Sequence, residues 1–266
     1  MHITRKSIFV TGAGSGIGRA TAVALARKGA RLTLSGRRKE PLEETARLVR
    51  EAGGEALVLA GDVSDETWQQ STLRQIVAHF GGLDGIVNSA GSVSAGELET
   101  IEPGDIRKQV EVNLIAPILL IRAALPSLRQ SEAAVIVNVS SSIGLVGMPF
   151  YAPYAATKGG LARFGEALRR ELSDERVHVM TVYPSATDTP MMETADSGDK
   201  AGYETPEAVA DALVAGLEND AIDVIRGGDD FIDLVKTNHD NPRKADSLIE
   251  EKKASLEQRA ARHRSM

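Results

Sequence analysis

The sequence predicts an α/β fold: one doubly wound parallel sheet of seven strands with helices on both faces, in a single domain. Short β-branched runs alternate with longer segments of helical period from residue 7 to about residue 226. The first run passes straight into a glycine-rich turn and an alanine-rich helix. At 266 residues the chain can bury one large core, and its 26% charged and 42% hydrophobic residues are ordinary globular values.

The elements follow in order. Strands are expected near "SIFVT" (7–11), "RLTLS" (31–35), "ALVLA" (56–60), "GIVNS" (85–89), "AVIVNVS" (134–140), "VHVMTVY" (177–183) and "IDVIR" (222–226). Between them the helical period covers 16–28, 39–52, 66–79, 103–129, 152–173 and 206–218. Gly29 suits a left-handed residue closing the first helix, and Thr205 with Pro206 supplies a hydroxyl cap followed by a pre-set φ. Pro117 and Pro126 either interrupt the long fourth helix or mark its end. After residue 228 the chain turns charged and loses its β pattern. Residues 1–228 are therefore expected to form the working domain, with 229–266 as a charged, helical extension. Leu248, Ile249 and Leu256 fall at rough helical spacing there, on a helix either solvated or packed on a partner subunit.

Composition excludes several functions. The formal charge of -6 argues against nucleic acid as a partner. With no cysteine, neither a disulfide framework nor a thiolate metal site is possible, which fits a reducing cytoplasm. The histidines are scattered without an HExxH pattern, so no metal is expected. The first residues lack a signal-like apolar stretch and no run reads as a membrane span, so a membrane is not an expected partner.

The stretch "FVTGAGSGIGRATAVALARKG" is a strand, a glycine turn and a helix. A helix N-terminus presents unpaired N–H groups and a partial positive charge, which suits a pyrophosphate. Glycines let the backbone approach such a ligand closely. The spacing is Gly12-x-x-x-Gly16-x-Gly18, with Gly14 in addition and Ile17 where the more common pattern carries glycine. Where a carboxylate usually meets the ribose of NAD, the second strand instead ends in Ser35, Gly36, Arg37 and Arg38. A guanidinium binds a 2′-phosphate bidentately, so NADP(H) is preferred, with NAD(H) retained as the alternative.

A resemblance is carried by "TGAGSGIG" (11–18), "GDV" (61–63), "NSAG" (88–91), "VNL" (112–114), "NVSSSIG" (138–144), "YAATK" (154–158) and "YPSATDTPM" (183–191). In this order and spacing the chain resembles the classical short-chain dehydrogenases/reductases, whose fold is of Rossmann type. Two tyrosines, Tyr151 and Tyr154, stand near Lys158. The family's serine lies thirteen residues before its tyrosine; Tyr154 meets Ser141 at that spacing, whereas Tyr151 meets Asn138. The resemblance thus implies Asn113, Ser141, Tyr154 and Lys158 as the catalytic set. It also implies a cofactor site of Gly12, Ser15, Gly16, Ile17, Gly18, Arg37, Asp62, Val63, Asn88, Ala90, Gly91, Tyr154, Lys158, Pro184, Thr187 and Thr189. Asp62 and Val63 would meet adenine, Lys158 the nicotinamide ribose, and Asn113 a water leading to solvent.

Positions i and i+4 share a helix face, so Tyr154 and Lys158 point into the same space. A nearby ammonium favours phenolate, so the Tyr154 pKa is expected below its ordinary value of about 10. The Ser141 hydroxyl can hold the oxygen on which charge develops. Three features depart from the family pattern: Ser89 for a second asparagine, Ser185 for a glycine, and the charged C-terminal end.

Substrate would lie along Val93, Ser94, "IGLVGMPF" (143–150), Tyr151 and 191–203, with a lid at about 185–205 and Glu97 and Met148 as candidates for specificity. The expected substrate is a small carbonyl or secondary alcohol. A nucleotide-sensing protein with little turnover, and an epimerase or dehydratase using the cofactor transiently, remain as alternatives. The resemblance implies a homodimer through the helices of Asn113 and Tyr154, with a homotetramer left open.

Overall fold

The computed structural model describes residues 2–195 and 202–265. Its seven parallel strands are β1 (Ser7–Val10), β2 (Arg31–Gly36), β3 (Glu55–Ala60), β4 (Gly85–Asn88), β6 (Ala134–Val139), β7 (Val177–Tyr183) and β8 (Asp223–Ile225), in the order β3-β2-β1-β4-β6-β7-β8. Two short strands, β5 (Val93–Ser94) and β9 (Arg264–Ser265), pair antiparallel in a separate sheet.

Side chains alternate across the large sheet, and both faces are buried. On one face Ile8, Val10, Val135, Val137, Met180 and Val182 pack against α1 (Gly16–Arg27), α2 (Lys39–Glu51) and α7 (Pro206–Glu218). Phe9, Ile86, Ile136 and Val179 face α3 (Glu66–Phe80), α5 (Ala116–Leu128) and α6 (Ala152–Glu171) on the other. Phe9, Ile8, Ile86 and Ile136 are fully buried, and each such side chain contributes roughly 1.5–3 kcal/mol.

The expected helix over 103–129 is continuous but not uniform. It runs as α4 (Pro103–Val110), a π-helical turn (Glu111–Ile115) and α5. Pro117 lies in the first turn of α5 and Pro126 inside it, so neither ends the helix. Pro103–Leu128 is apolar and long enough to cross a membrane, but Leu120, Ile121, Ala124 and Leu128 lie wholly inside the core.

Past β8 the chain forms α8 (Gly228–Asp240), α9 (Pro242–Glu250) and α10 (Lys253–Ala260) before reaching β9. The end of the chain therefore packs on its own domain. The expected lid at 185–205 falls partly outside the described residues, at 196–201.

The strand order reverses between β1 and β4. Their carboxyl ends diverge there, and a crevice opens.

Candidate active site

The crevice is a cleft of about 900 Å³ floored by the glycine turn and bounded by Arg37, Arg38, Asp62, Val63, Ala90 and Gly91. Its shape depends on missing side chains. A Cβ on Gly12 (φ 67°) would lie 2.8 Å from the Ala90 backbone, and one on Gly18 only 2.3 Å from the Gly12 carbonyl oxygen. Helix α1 starts at Gly16, with no acidic residue in its first turn and no side-chain cap from Ser15. Its first N–H groups, beside Ser15, Gly16 and Ile17, thus meet the cleft uncompensated.

Two residues that the motif reading passed over hold this floor. The Thr11 hydroxyl accepts from the Ser89 and Ala90 N–H groups (3.1 Å each), joining the loop after β4 to the glycine turn. Arg19 donates to the Gly14 carbonyl and to Thr45 Oγ1 (3.1 Å), and Thr45 donates in turn to the Ala13 carbonyl (2.9 Å). The signal for Thr11 was in view as the first letter of "TGAGSGIG"; Arg19 carried none.

Asp62 and Arg37 both line the cleft. Burial pushes the Asp62 carboxyl upward, but the Ser64 N–H and hydroxyl, with the charges of Arg37 and Lys108, hold it below the usual carboxylate range.

Tyr154 and Lys158 share one face of α6, with the Lys158 ammonium 5.7 Å from the centre of the Tyr154 ring. Lys158 is buried and donates to the Val139 carbonyl (3.0 Å) at the end of β6. The Ser141 hydroxyl accepts from the Ile143 N–H (3.3 Å) and lies close enough to the Tyr154 phenol to favour its ionised form. Gly91 closes the group: a Cβ there would lie 3.5 Å from Asn113 Oδ1 and 3.7 Å from Lys158 Nζ.

The expected acidic phenol is corrected. Burial pushes Tyr154 up to about 12, with the nearby Ser141 hydroxyl opposing the shift, and pushes Lys158 down to about 8. Desolvation of both charged forms outweighs the benefit of their proximity.

The Asn113 side chain is fully engaged in structure. It accepts from the Ser92 N–H (2.8 Å) and donates to the Ser92 carbonyl (2.9 Å) and Thr157 Oγ1 (3.1 Å). Its own carbonyl is the acceptor an α-helix would pair with residue 117, which is Pro117 and has no N–H.

Other expected residues lie further off. Asn88 is buried in β4 and donates to Asn138 Oδ1 (3.0 Å). Thr189 lines the cleft, whereas buried Thr187 donates to the Ser185 carbonyl (2.9 Å) and Pro184 accepts from the Ser142 N–H (2.8 Å). Ser185 needs no left-handed backbone and donates to Glu204 (3.0 Å), which is itself paired with Arg226. Glu97 is exposed, while Met148 packs beside Tyr151 and Tyr154.

The short chain dehydrogenase family model matches residues 6–200. The chain belongs to the short-chain dehydrogenase/reductase family. A human 3-oxoacyl-[acyl-carrier-protein] reductase is 35% identical over 70% of this chain and 77% of its own length. Among solved structures, an alcohol dehydrogenase from Thermococcus sibiricus complexed with 5-hydroxy-NADP superposes with a TM-score of 0.74 at 26% identity, covering 84% of this chain and 96% of that one. A short-chain dehydrogenase/reductase from Burkholderia phymatum in complex with NAD gives 0.84 at 23% identity, covering 92% and 96%. This short-chain dehydrogenase/reductase is an NAD(P)-dependent oxidoreductase, and its cleft fits the cofactor. A glycine cradle that a single Cβ would fill sits under an uncapped helix terminus, and Arg37 and Arg38 line the same cleft.

Proposed function

We propose that the protein interconverts a carbonyl and a secondary alcohol using NADP(H), with Tyr154 as general acid and base. The observation carrying this reading is the convergence of Ser141, Tyr154 and Lys158 near Gly91, which lines the cleft, with Met191 shared between the cleft and the apolar residues around Tyr151. Bound in the cleft, the nicotinamide would supply the hydride in reduction and take it back in oxidation.

The chain's own groups handle the proton. A phenol held at about 12 is protonated at neutral pH, ready to give its proton to a carbonyl oxygen that gains charge. Ser141 holds that oxygen by a hydrogen bond, and Lys158 steadies the cofactor's ribose. A water on the Asn113 carbonyl, from which Pro117 withholds the i+4 donor of an α-helix, would return the proton through Lys158.

Arg37 supports the choice of NADP(H), since its guanidinium lines the cleft beside Gly36, where a ribose 2′-phosphate would sit. A homodimer is supported by the α4–α5 run, where Val110, Leu114, Ile115, Ile118 and Leu119 keep part of their apolar surface exposed. A cysteine-free chain of this kind suits the cytoplasm.

Titration with NADPH and NADH, followed by a panel of ketones and alcohols, tests the whole reading. Tyr154→Phe should lower kcat by about 10²–10⁴-fold and leave NADPH affinity nearly unchanged; retained turnover removes Tyr154 from proton transfer. Arg37→Ala should weaken NADPH far more than NADH, and equal losses refute the phosphate assignment. Tight NADPH binding without turnover of any substrate would indicate a sensor.

A further inference from the structure

The C-terminal segment crosses the three loops that border Tyr154. After β4, strand β5 pairs with β9 (Val93↔Ser265, Ser94↔Arg264), and the Ala95 N–H donates to the His263 carbonyl (3.0 Å). After β7, the Thr194 hydroxyl donates to the Arg264 carbonyl (3.1 Å) and accepts from the Arg264 N–H (3.0 Å). After β6, the Tyr151 hydroxyl lies 3.0 Å from His263 Nδ1. The other ring nitrogen, Nε2, lies 3.0 Å from the Met191 carbonyl, which can only accept. Nε2 therefore carries the proton, and Nδ1 accepts from Tyr151. His263 is buried, and the Arg264 guanidinium grips Asp105 at the start of α4 (2.8 Å).

Part of the inner surface of this strap is apolar. Ala260 is fully buried with Val93 and Tyr151, and Tyr154, Met148 and Met191 pack against the same group. The Tyr151 hydroxyl and both His263 nitrogens are already bonded to protein, whereas the buried Tyr203 hydroxyl and Arg259 Nε near them have no hydrogen-bond partner among the described residues.

We propose that residues 253–265 form a wall of the substrate site, that His263 is the positioning residue locking it to Tyr151 and Met191, and that the wall confines the site to compact carbonyl compounds. The substrate part rests on the reading of Tyr154 as the proton-transfer group; the locking does not.

The experiment uses four variants: a chain ending at Lys252, His263→Phe, which keeps a ring but loses both bonds, Tyr151→Phe, which loses only the hydroxyl, and the two point substitutions combined. Hydrogen exchange at 93–96 and 191–195 is measured together with NADPH affinity and kcat/KM for acetophenone and the bulkier 2-acetonaphthone. His263→Phe should speed exchange in both loops and lower the preference for acetophenone, each about tenfold, the size of one lost buried hydrogen bond. NADPH affinity is read alongside, because Met191, Thr194, Arg264 and Ser265 also line the cofactor cleft, and an unchanged far-ultraviolet circular dichroism spectrum certifies the fold. Tyr151→Phe should reproduce part of the effect and add little to His263→Phe, because the two groups share one bond. Should the truncated chain fail to fold, the two point variants decide the outcome alone. Unchanged exchange overturns the lock, and an unchanged size preference overturns the wall. If the wild type binds NADPH but reduces neither ketone, the substrate class falls, while exchange still decides the lock.

Discussion

Burial sets the working forms of Lys158 and Tyr154 in opposite senses. The ammonium is made easier to deprotonate, at about 8, and the phenol harder, at about 12. Spacing in the sequence showed that the two side chains share a helix face, and attraction between opposite charges then argued for an acidic phenol. Desolvation is a property of the folded interior, built from Val139, Ser141 and Gly91 on other elements, so no local pattern could reveal it. The consequence is measurable. Reduction needs a protonated Tyr154, present throughout the neutral range, and a charged Lys158, lost as pH rises through about 8. kcat/KM for reduction should therefore be level below pH 8 and fall above it, and a profile still level at about pH 10 would contradict the Lys158 assignment. At the glycine turn, Gly12→Ala should abolish measurable NADPH binding, because the added methyl meets the Ala90 backbone at 2.8 Å where no flexible side chain can yield.

Among the elements, regular ones were legible and irregular ones were not. Strands β1, β6 and β7 alternate residues between two buried faces, and the helices carry a strong apolar period, so both announce themselves locally. Candidate site residues at the ends of β1, β4 and β6 were legible for the same reason: they follow strands. The π-helical turn at Glu111–Ile115 was not legible, because "EVNLI" has no composition that asks for five-residue spacing. Pro117 was the available clue, although it was open whether it broke the helix. It instead lies just past the turn and withholds an N–H from the Asn113 carbonyl. Pro117→Ala should restore that donor, draw the carbonyl into the helix and slow the return of the proton. kcat should then fall about tenfold with NADPH affinity unchanged; an unaltered kcat would mean that Asn113 needs no exposed carbonyl.

On the scale of the whole molecule, the C-terminal extension ends beside the site that its sequence gave no sign of touching. Its charge and its scattered Leu248, Ile249 and Leu256 read as a separate helix, while the residues that return to the domain, Ala260, His263 and Arg264, make no periodic pattern. His263 couples this closure to acidity. Burial lowers its pKa below the ordinary 6.5, with the Met191 hydrogen bond opposing the shift and the nearby Arg259 charge adding to it. Tyr151 faces it from the start of α6, and the Arg264–Asp105 pair flanks it. A depressed pKa means that the unfolded chain takes up this proton first as pH falls. The stability gained from neutral His263 is therefore complete above pH 6.5 and is lost as pH drops through the lower folded-state value. Thermal unfolding of the wild type and of His263→Phe across pH 8 to 5 isolates this contribution, since the other titrating groups are common to both chains. The wild type should be the more stable at pH 8, and its advantage should shrink steadily below pH 6.5. An advantage that persists undiminished at pH 5 would show that His263 holds the strap as readily when charged, and the acid-sensitive latch would have to be given up.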